Sequence, residues 1–382
     1  MIPKTYCAYP FVSTCLQADN TVVPCGQFMD TSLFKKILPI HEVRSSPVMN
    51  EMRRKMLNNE IMPGCQCYVE EAAGLPSMRQ AGIQKFGFTT ETKLRRLELV
   101  FDNVCNLKCR SCGSVNSHLW HDDEVKLYGK SLLGIKYLKN NLYDDIDVKD
   151  LEELEVLGGE PMISPGTNHF FEIIHQHDKF KDLTVLLSTN GMVLPEQYML
   201  EGLLTCQNLK LNISIDAHGE LNNYVRSGAD WNTILKNLEY YHKLFELRRG
   251  KHTLINIHSA VSIYTVNVLD KLVGFIKNNF PKFHTTFQVV QFPVYLSIKN
   301  TPKSYKDQVR KFISSQEILN FLDSEGEDYF GHFINFTQQL DNIRQESLNH
   351  NDFLKSFIDK YQNPYTVEQS VKFFNEEIAK IV

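Results

Sequence analysis

The chain has 382 residues, of which 42% are hydrophobic and 23% are charged, and its formal net charge is −4. This composition is ordinary for a globular protein of two or three domains, and it disfavours nucleic acid and anionic membranes as general partners. The first residues do not resemble a secretory signal, and no apolar run reaches the length of a membrane span, so we expect a cytoplasmic protein with no membrane partner.

Residues 1–85 are predicted to form a small cysteine-rich module of short strands, turns and helices. Ala18-Asp19-Asn20 separates two short strands, 14–17 and 21–23, as a hairpin turn does. Ser46 and Pro47 fit the N-cap and the first position of a helix that runs to about residue 58. So small a segment buries little apolar surface, and a metal centre would compensate for that.

Residues 86–300 alternate short aliphatic runs with longer stretches of helical spacing, such as 166–180 and 231–247. This alternation predicts an α/β domain with a parallel sheet, crossover helices and ligand-binding residues at one end of the strands. Residues 301–382 are predicted to be helical and are rich in phenylalanine, without a recognisable catalytic motif. The six predicted strands are 94–101, 151–157, 183–188, 209–216, 254–263 and 285–292.

Three cysteines, Cys105, Cys109 and Cys112, follow the first of these strands in a C-x3-C-x2-C loop. In a reducing compartment, cysteines at such spacing indicate metal ligation rather than disulfides. Three thiolates are one fewer than the four that usually hold a [4Fe–4S] cluster, which leaves one iron open to a small molecule. A zinc site completed by His118 or His121 is the alternative, since three cysteines and a histidine also form a common tetrahedral set.

Polar and glycine-rich motifs follow the next strands at their carboxyl ends. Glycines allow the backbone to approach a ligand closely, and carbonyl and carboxylate oxygens accept hydrogen bonds from an ammonium group. Small hydroxyl and amide side chains suit sugar hydroxyls, and a guanidinium suits a carboxylate. The structural alternatives are that the glycine-rich motifs form ordinary turns and that the arginine is an exposed surface residue. The candidate ligand-binding residues are Gly158, Gly159, Glu160, Pro161, Ser188, Asn190, Ser214, Asp216 and Arg226.

With its cysteine loop after the first strand and Gly-Gly-Glu-Pro after the second, the chain resembles the radical S-adenosylmethionine (SAM) superfamily. The resemblance implies a partial (β/α)6 TIM-like barrel, a [4Fe–4S] cluster on the three loop cysteines, and SAM on the fourth iron. It implies that residues 158–161 hold the amino group of SAM, while the later strand ends and Arg226 contact its ribose and carboxylate. The implied activity is reductive cleavage of SAM, with an external electron donor, to a 5′-deoxyadenosyl radical that abstracts hydrogen. Ser111 departs from the family, which often has an aromatic residue near the adenine at that position.

The N-terminal cysteines resemble the auxiliary-cluster modules called twitch or SPASM domains, here placed before the barrel. The resemblance implies a second iron–sulfur cluster and, by analogy with relatives that modify peptides, a peptide or small-molecule substrate. Cys15 is not included among the implied cluster ligands, because it lies in the middle of a predicted strand. A structural zinc knuckle is the alternative, and the spacing of the last two cysteines is one residue shorter than in the family. The implied ligands are Cys7, Cys25, Cys65 and Cys67.

Two other functional classes remain open. A non-catalytic zinc or iron–sulfur metalloprotein would bind no SAM. An RNA-modifying radical enzyme would need a basic surface, whereas the two short basic clusters, 53–55 and 248–251, are interpreted as solvated helix or turn faces.

Overall fold

The computed structural model describes residues 2–34, 39–72, 76–131, 134–136, 142–144, 146–248 and 250–378. The strands are β1 Ser13–Leu16, β2 Val22–Val23, β3 Arg96–Val100, β4 Lys108–Cys109, β5 Glu153–Leu157, β6 Thr184–Thr189, β7 Asn208–Ser214, β8 Arg226–Ser227, β9 His252–Val261 and β10 His284–Val289. The helices are α1 Tyr9–Val12, α2 Ile40–Arg44, α3 Pro47–Leu57, α4 Gln66–Ala72, α5 Met78–Phe86, α6 His121–Tyr128, α7 Pro165–Gln176, α8 Gln197–Thr205, α9 Glu220–Val225, α10 Trp231–Leu247, α11 Leu269–Asn279, α12 Lys303–Val309, α13 Gln316–Asp323, α14 Phe330–Arg344, α15 Asp352–Lys360 and α16 Val367–Ile378.

The six strands predicted between residues 94 and 292 are confirmed, and they lie side by side in one sheet. Its strand order is β10-β9-β7-β6-β5-β3-β1-β2, and every neighbouring pair except β1 and β2 is parallel. Buried and half-buried residues alternate along β7, where Leu209, Leu211 and Ile213 are fully buried. Helices α7 and α10 lie where crossovers were predicted. The loops that follow these strands therefore emerge together, at what we call the carboxyl edge.

The predicted N-terminal hairpin is also confirmed, and it extends this same sheet. Strand β1 pairs with β2 in antiparallel fashion and with β3 in parallel fashion, which places Cys15 opposite Glu98. Buried residues from the N-terminal segment, such as Tyr6 and Phe11, belong to the same hydrophobic core as Leu97 of β3. Sequence reasoning did not anticipate this pairing, because a four-residue strand carries no signal for which neighbour it joins.

Helix α3 begins as predicted, since the Ser46 side chain accepts a hydrogen bond from the backbone N–H of Met49. The interpretation of the basic clusters as solvated faces is wrong for two of their arginines. Arg53 and Arg248 are 6% and 3% exposed. Their guanidinium groups bind backbone carbonyl oxygens, such as that of Pro10 for Arg53, which no local charge pattern reveals.

The region after residue 300 is helical, as predicted, and forms a second hydrophobic core. Phe330, Phe333 and Phe336 of α14 are buried there together with Phe374 of α16. Trp120, which follows the cysteine loop, stacks on Phe336 with ring centroids 6.5 Å apart. The C-terminal helices thus pack against the segment that carries the cysteines. No helix in the described part of the chain is both long and apolar enough to cross a membrane.

Candidate functional site

The cysteine loop lies at the carboxyl edge of the sheet, directly after β3. Within it, the backbone N–H of Cys112 donates to the carbonyl oxygen of Cys109 at 3.0 Å, which folds the two residues into one turn. Strand β4 pairs with β8 in antiparallel register, so that Cys109 lies opposite Arg226. Two residues from a distant loop therefore hold the middle of the cysteine loop in place.

The loop brings three sulfur donors into a largely buried setting. Burial raises the pKa of Cys105 to about 11. A hydrogen bond between the other two thiols lowers the pKa of Cys109 to about 7 and raises that of Cys112. The charge of Arg226 lowers the pKa of all three thiols. A fixed positive charge beside the sulfurs favours the thiolate form, which is the form that binds metal.

The two histidines considered as zinc ligands, His118 and His121, lie in different environments. The backbone N–H of Cys105 donates to Nδ1 of His118 at 3.3 Å, so this nitrogen already has a partner. His121 is exposed. Across the described residues, no group of three or more His, Cys, Asp or Glu side chains is arranged to hold a single metal ion.

The Gly-Gly-Glu-Pro segment packs directly on the backbone of the cysteine loop. The N–H groups of Gly159 and Glu160 donate to the carbonyl oxygens of Asp102 and Val104, at 3.1 and 2.8 Å. A Cβ atom on Gly159 would lie only 2.1 Å from the carbonyl oxygen of Val104. Glycine is therefore required here so that two backbone segments can touch. This is a structural role, in addition to the ligand-binding role expected from the sequence.

Glu160 connects the ends of two neighbouring strands. Its carboxylate, 1% exposed, accepts hydrogen bonds from the backbone N–H groups of Met162 and Asn190, at 3.0 and 2.6 Å, and from the Thr189 hydroxyl at 2.8 Å. Burial raises the pKa of Glu160, although these hydrogen bonds oppose the shift. Pro161 follows as the first residue of a short 3-10 helix, Pro161–Ile163.

Asn190 is tied to the cysteine loop, whereas the two serines on the candidate list are not. The Asn190 amide donates to the Asn106 side-chain oxygen at 2.7 Å and lies 4.0 Å from the Cys105 sulfur. Ser188 accepts a hydrogen bond from Asn212 of the next strand, at 3.5 Å. Ser214 lies in register with His258 of β9. Neither serine has a hydrogen bond to the cysteine loop within the described residues.

Asp216 and Arg226 form a buried ion pair beside the cysteines. Arg226 Nη1 donates to Asp216 Oδ2 at 3.0 Å, and the other Asp216 oxygen accepts the backbone N–H of Ala260. Burial lowers the pKa of Arg226, but the charges of Cys109 and Asp216 outweigh it and raise the value overall. Arg226 Nε is buried without a hydrogen-bond partner in the described part of the chain. The pair thus keeps one N–H free for an anionic ligand next to the sulfurs.

A family model described as a 4Fe-4S single cluster domain matches residues 95–223. The match begins at β3 and contains the cysteine loop, Gly-Gly-Glu-Pro and Asp216, while Arg226 lies just beyond it. The cysteine loop therefore lies in a segment that is similar to domains that hold a single [4Fe–4S] cluster. The three sulfur donors, of which those of Cys105 and Cys109 are buried, and the unpartnered N–H of Arg226 fit a [4Fe–4S] cluster and the carboxylate of SAM chemically.

Curated relatives of the chain include two bacterial GTP 3′,8-cyclases. The enzyme of Helicobacter pylori is 27% identical over 113 residues, which cover 30% of this chain and 32% of the relative. The enzyme of Alkaliphilus oremlandii is 22% identical over 147 residues, which cover 38% of this chain and 42% of the relative. The chain thus spans well under half the length of these relatives.

Two solved structures show weak overall similarity to this chain. Native anSMEcpe with bound AdoMet and Cp18Cys peptide matches with a TM-score of 0.36 and 18% identity, over 65% of each chain. Streptococcus suis SuiB matches with a TM-score of 0.36 and 15% identity, over 75% of this chain and 60% of that one. At these scores the superpositions support no argument about the present site.

A pocket opens beside Ser111, the residue that precedes the third cysteine of the loop. It has a volume of about 400 Å³ and lies between the cysteine loop and the ends of β9 and β10. Val289, Val290 and Phe292 give it an apolar wall, and Gln288 supplies an amide. The end of β10 therefore supplies apolar surface beside position 111, where the sequence has a serine.

Sequence reasoning missed three charged residues that anchor the cysteine loop from the C-terminal region. The fully buried side chain of Arg110, next to Cys109, forms ion pairs with Asp341 and Glu346. Arg344 Nη1 donates to the carbonyl oxygen of Lys108 at 2.7 Å. No sequence signal marks these residues, because charged residues on a C-terminal helix are ordinarily solvated.

We expect that replacing Arg344 with alanine loosens the cysteine loop. The side chain is 1% exposed, pairs with Asp123 at 2.8 Å and lies 4.4 Å above the Trp120 ring. Removing one partner of a buried ion pair costs about 3 kcal/mol or more. Arg344→Ala should therefore lower the melting temperature and the iron retained after reconstitution.

The matched control is Arg310→Ala, which breaks an exposed ion pair with Asp323 in the same C-terminal region. An exposed pair contributes less than about 1 kcal/mol, so this variant should keep its iron. Equal iron content in the two variants would contradict the anchoring role of Arg344.

The four cysteines assigned to an auxiliary cluster lie near one another in the N-terminal segment. After burial, the largest influences that raise the pKa of Cys7 are the charges of Cys25 and Cys67. A hydrogen bond with Cys67 raises the pKa of Cys65, and Cys7 and Cys25 add to this effect. Cys15 is different: apart from burial, its main neighbours are Glu98 and Cys25. The charges of these four thiols thus influence one another, although no three of them are arranged to hold a single metal ion in the described residues.

Backbone N–H groups point at several of these sulfurs. Cys7 accepts from Tyr9, Cys25 from Gln27, and Cys67 from Arg79, and each of these hydrogen bonds lowers the pKa of its thiol. In the C-x3-C-x2-C loop, Leu107 donates to the Cys105 sulfur in the same way at 3.4 Å. Hydrogen bonds to sulfur are one of the means by which proteins tune iron–sulfur clusters.

Proposed function

We propose that this protein is a radical SAM enzyme that cleaves SAM reductively and abstracts a hydrogen atom from its substrate. In this superfamily, the cluster and SAM together supply the 5′-deoxyadenosyl radical that carries out the abstraction. The observation that carries the proposal is the arrangement of Cys105, Cys109 and Cys112 in one buried loop beside the Asp216–Arg226 pair. Three ligands and an adjacent cation suit a cluster that shares one iron with an anionic small molecule.

The strand ends supply the contacts that SAM requires. Glu160 Oε2 accepts one hydrogen bond, from Asn190, and keeps lone-pair capacity for the ammonium group of SAM. The free N–H of Arg226 suits the carboxylate of SAM. We assign the pocket beside Ser111 to the adenosine half, because it combines an apolar wall with amide groups. Ser188 and Ser214 keep their proposed role at the ribose.

We further propose that the six-strand region 86–300 forms the partial (β/α)6 barrel and that residues 1–85 form a twitch or SPASM-like module. Its auxiliary iron–sulfur cluster would be held by Cys7, Cys25, Cys65 and Cys67, with residues 301–382 as a helical extension. The support is the mutual proximity of these four thiols. Electrons reach the enzyme from an external donor in the cytoplasm.

The substrate we propose is a peptide or a small molecule. The proposal rests on analogy with radical enzymes that carry auxiliary clusters and modify peptides. A formal charge of −4 disfavours the RNA-modifying alternative. Salt-sensitive retention of RNA by the purified enzyme would favour that alternative instead.

Electron paramagnetic resonance of the dithionite-reduced protein tests whether SAM binds at the cysteine loop. We expect the spectrum of the anaerobically reconstituted protein to change when SAM is added, because SAM coordinates an iron of that cluster. Cys105→Ala should abolish the change, whereas Cys206→Ala, which alters a buried cysteine between α8 and β7, should preserve it. Protein that contains zinc and no sulfide would support the non-catalytic alternative and contradict the proposal.

A further inference from the structure

A cavity of about 560 Å³ lies far from the cysteine loop, at the edge of the sheet where the parallel strands begin. Leu94, just before β3, and Ile146, before β5, line one side of it, and Ile40 of α2 lines another. The charged residues at its wall are Arg44, Arg53, Lys93, Asp147 and Asp150, and the two aspartates form no ion pair with either arginine in the described residues. The function proposed above uses none of them.

Both arginines are buried, at 8% and 6% exposure, and neither forms an ion pair with a carboxylate in the described residues. Arg44 donates instead to neutral oxygens, which include the carbonyl oxygens of Phe11 at 2.8 Å and Ser13 at 3.0 Å. Arg53 donates from Nη1 to the carbonyl oxygen of Arg44 at 2.7 Å, which places the two cations side by side. Two adjacent buried cations without an anion are costly.

Arg53 has one further nitrogen that its surroundings do not use. Its Nη2 is buried and has no hydrogen-bond partner within the described ranges. A guanidinium stays protonated at neutral pH, and an N–H shielded from bulk water interacts more strongly with an anion than an exposed one does. Burial lowers the pKa of both arginines to about 10, and the charge of Arg53 adds to the shift at Arg44. An anion in the cavity would relieve each of these costs.

We infer that this cavity is a second ligand site, at which Arg53 and Arg44 bind the carboxylate or phosphate group of a small molecule. Ile40, Leu94 and Ile146 supply apolar surface for the rest of the ligand, so a carboxylate on an aliphatic body fits the lining. The site is separate from the cysteine loop, and it does not depend on the function proposed above.

Calorimetric titration of the reconstituted full-length protein, at constant ionic strength, tests this inference with three probes. N-acetyl-leucine carries a carboxylate on an aliphatic body, and N-acetyl-leucinamide is its neutral analogue. Inorganic phosphate is the second anionic probe. We expect N-acetyl-leucine or phosphate to bind saturably, and the tighter of the two identifies the anionic group. The neutral amide should bind at least tenfold more weakly than the acid.

Arg53→Gln should weaken anion binding at least tenfold. Arg54→Gln is the matched control, since it makes the same charge change one residue later, where the side chain is exposed and paired with Glu51 and Glu60. This variant should bind the probes as the wild type does. Asn50→Asp provides a second variant, because Asn50 Oδ1 already accepts from Arg53 at 2.8 Å.

Asn50→Asp places a carboxylate beside Arg53 without removing any contact of the arginine. We expect it to raise the melting temperature and to weaken the binding of anionic probes at least tenfold, even if Arg53→Gln does not fold. The inference is overturned if neither anion binds the wild type, if the neutral amide binds as tightly as the acid, or if Arg54→Gln loses as much affinity as Asn50→Asp.

Discussion

Replacing Gly159 with alanine is expected to displace the cysteine loop and to remove most of the iron from the C-x3-C-x2-C site. The added Cβ would lie 2.1 Å from the carbonyl oxygen of Val104 and 2.8 Å from the carbonyl carbon of Asn103. Both are backbone atoms, so no flexible side chain can move aside. Relief requires separating the segments and breaking the hydrogen bonds from Gly159 and Glu160 to the loop.

Overpacking together with the loss of two buried hydrogen bonds costs about 3 kcal/mol or more. In a protein of this size, that loss lowers the melting temperature by about 4 °C or more. Iron content after reconstitution and thermal unfolding measure the two effects. Gly274→Ala is the matched control, because it lies in α11 and no heavy atom comes within 4 Å of the added Cβ. A Gly159→Ala protein with the iron content and stability of Gly274→Ala would show that the contact with the loop is dispensable.

The second large effect is expected from the N-terminal cysteines. If they hold a [4Fe–4S] cluster, the wild type should contain about eight iron atoms per chain, and Cys25→Ala should contain about four. Simultaneous replacement of Cys105, Cys109 and Cys112 by alanine should also leave about four, held by the other set. Iron and sulfide analysis distinguishes the two sites, because each variant removes the ligands of one alone.

Cys15→Ala is the matched control within the same segment. Cys15 is fully buried in β1 and lies opposite Glu98, outside the set of four neighbouring thiols. We expect this variant to keep both clusters. If it loses as much iron as Cys25→Ala, Cys15 is a ligand and the assignment of the other four is wrong. Zinc without sulfide in the triple variant would show that the N-terminal cysteines hold a structural zinc ion and not an auxiliary iron–sulfur cluster.

The sequence was sufficient to predict the elements that position the site. Alternation of aliphatic runs and helical stretches located six of the seven parallel strands in the described sheet, and the known direction of such strands placed the cysteine loop and Gly-Gly-Glu-Pro at one edge. These signals are local in sequence, which is why they survive without a structure. The ion pair between Asp216 and Arg226 was not predicted, because Arg226 was expected to contact the carboxylate of SAM.

What the sequence did not reveal depends on contacts between distant segments. Arg344 and Asp341 reach the cysteine loop from more than 200 residues away, and no periodicity encodes that contact. Arg53 seemed to be part of a solvated basic cluster, yet it binds the carbonyl oxygen of Pro10 in the interior. Gly159 contacts the backbone of the cysteine loop and also belongs to the Gly-Gly-Glu-Pro motif. The first of these roles becomes visible only when both segments are placed in the structure.

The most direct test of the central claim is whether the reduced protein converts SAM to 5′-deoxyadenosine. Protein purified and reconstituted without oxygen, then reduced with dithionite, is predicted to form 5′-deoxyadenosine from added SAM. Cys105→Ala, Cys109→Ala and Cys112→Ala should form none, whereas Cys206→Ala should match the wild type. Intact iron–sulfur protein that forms no 5′-deoxyadenosine, or loop variants that form as much as the wild type, would contradict the account.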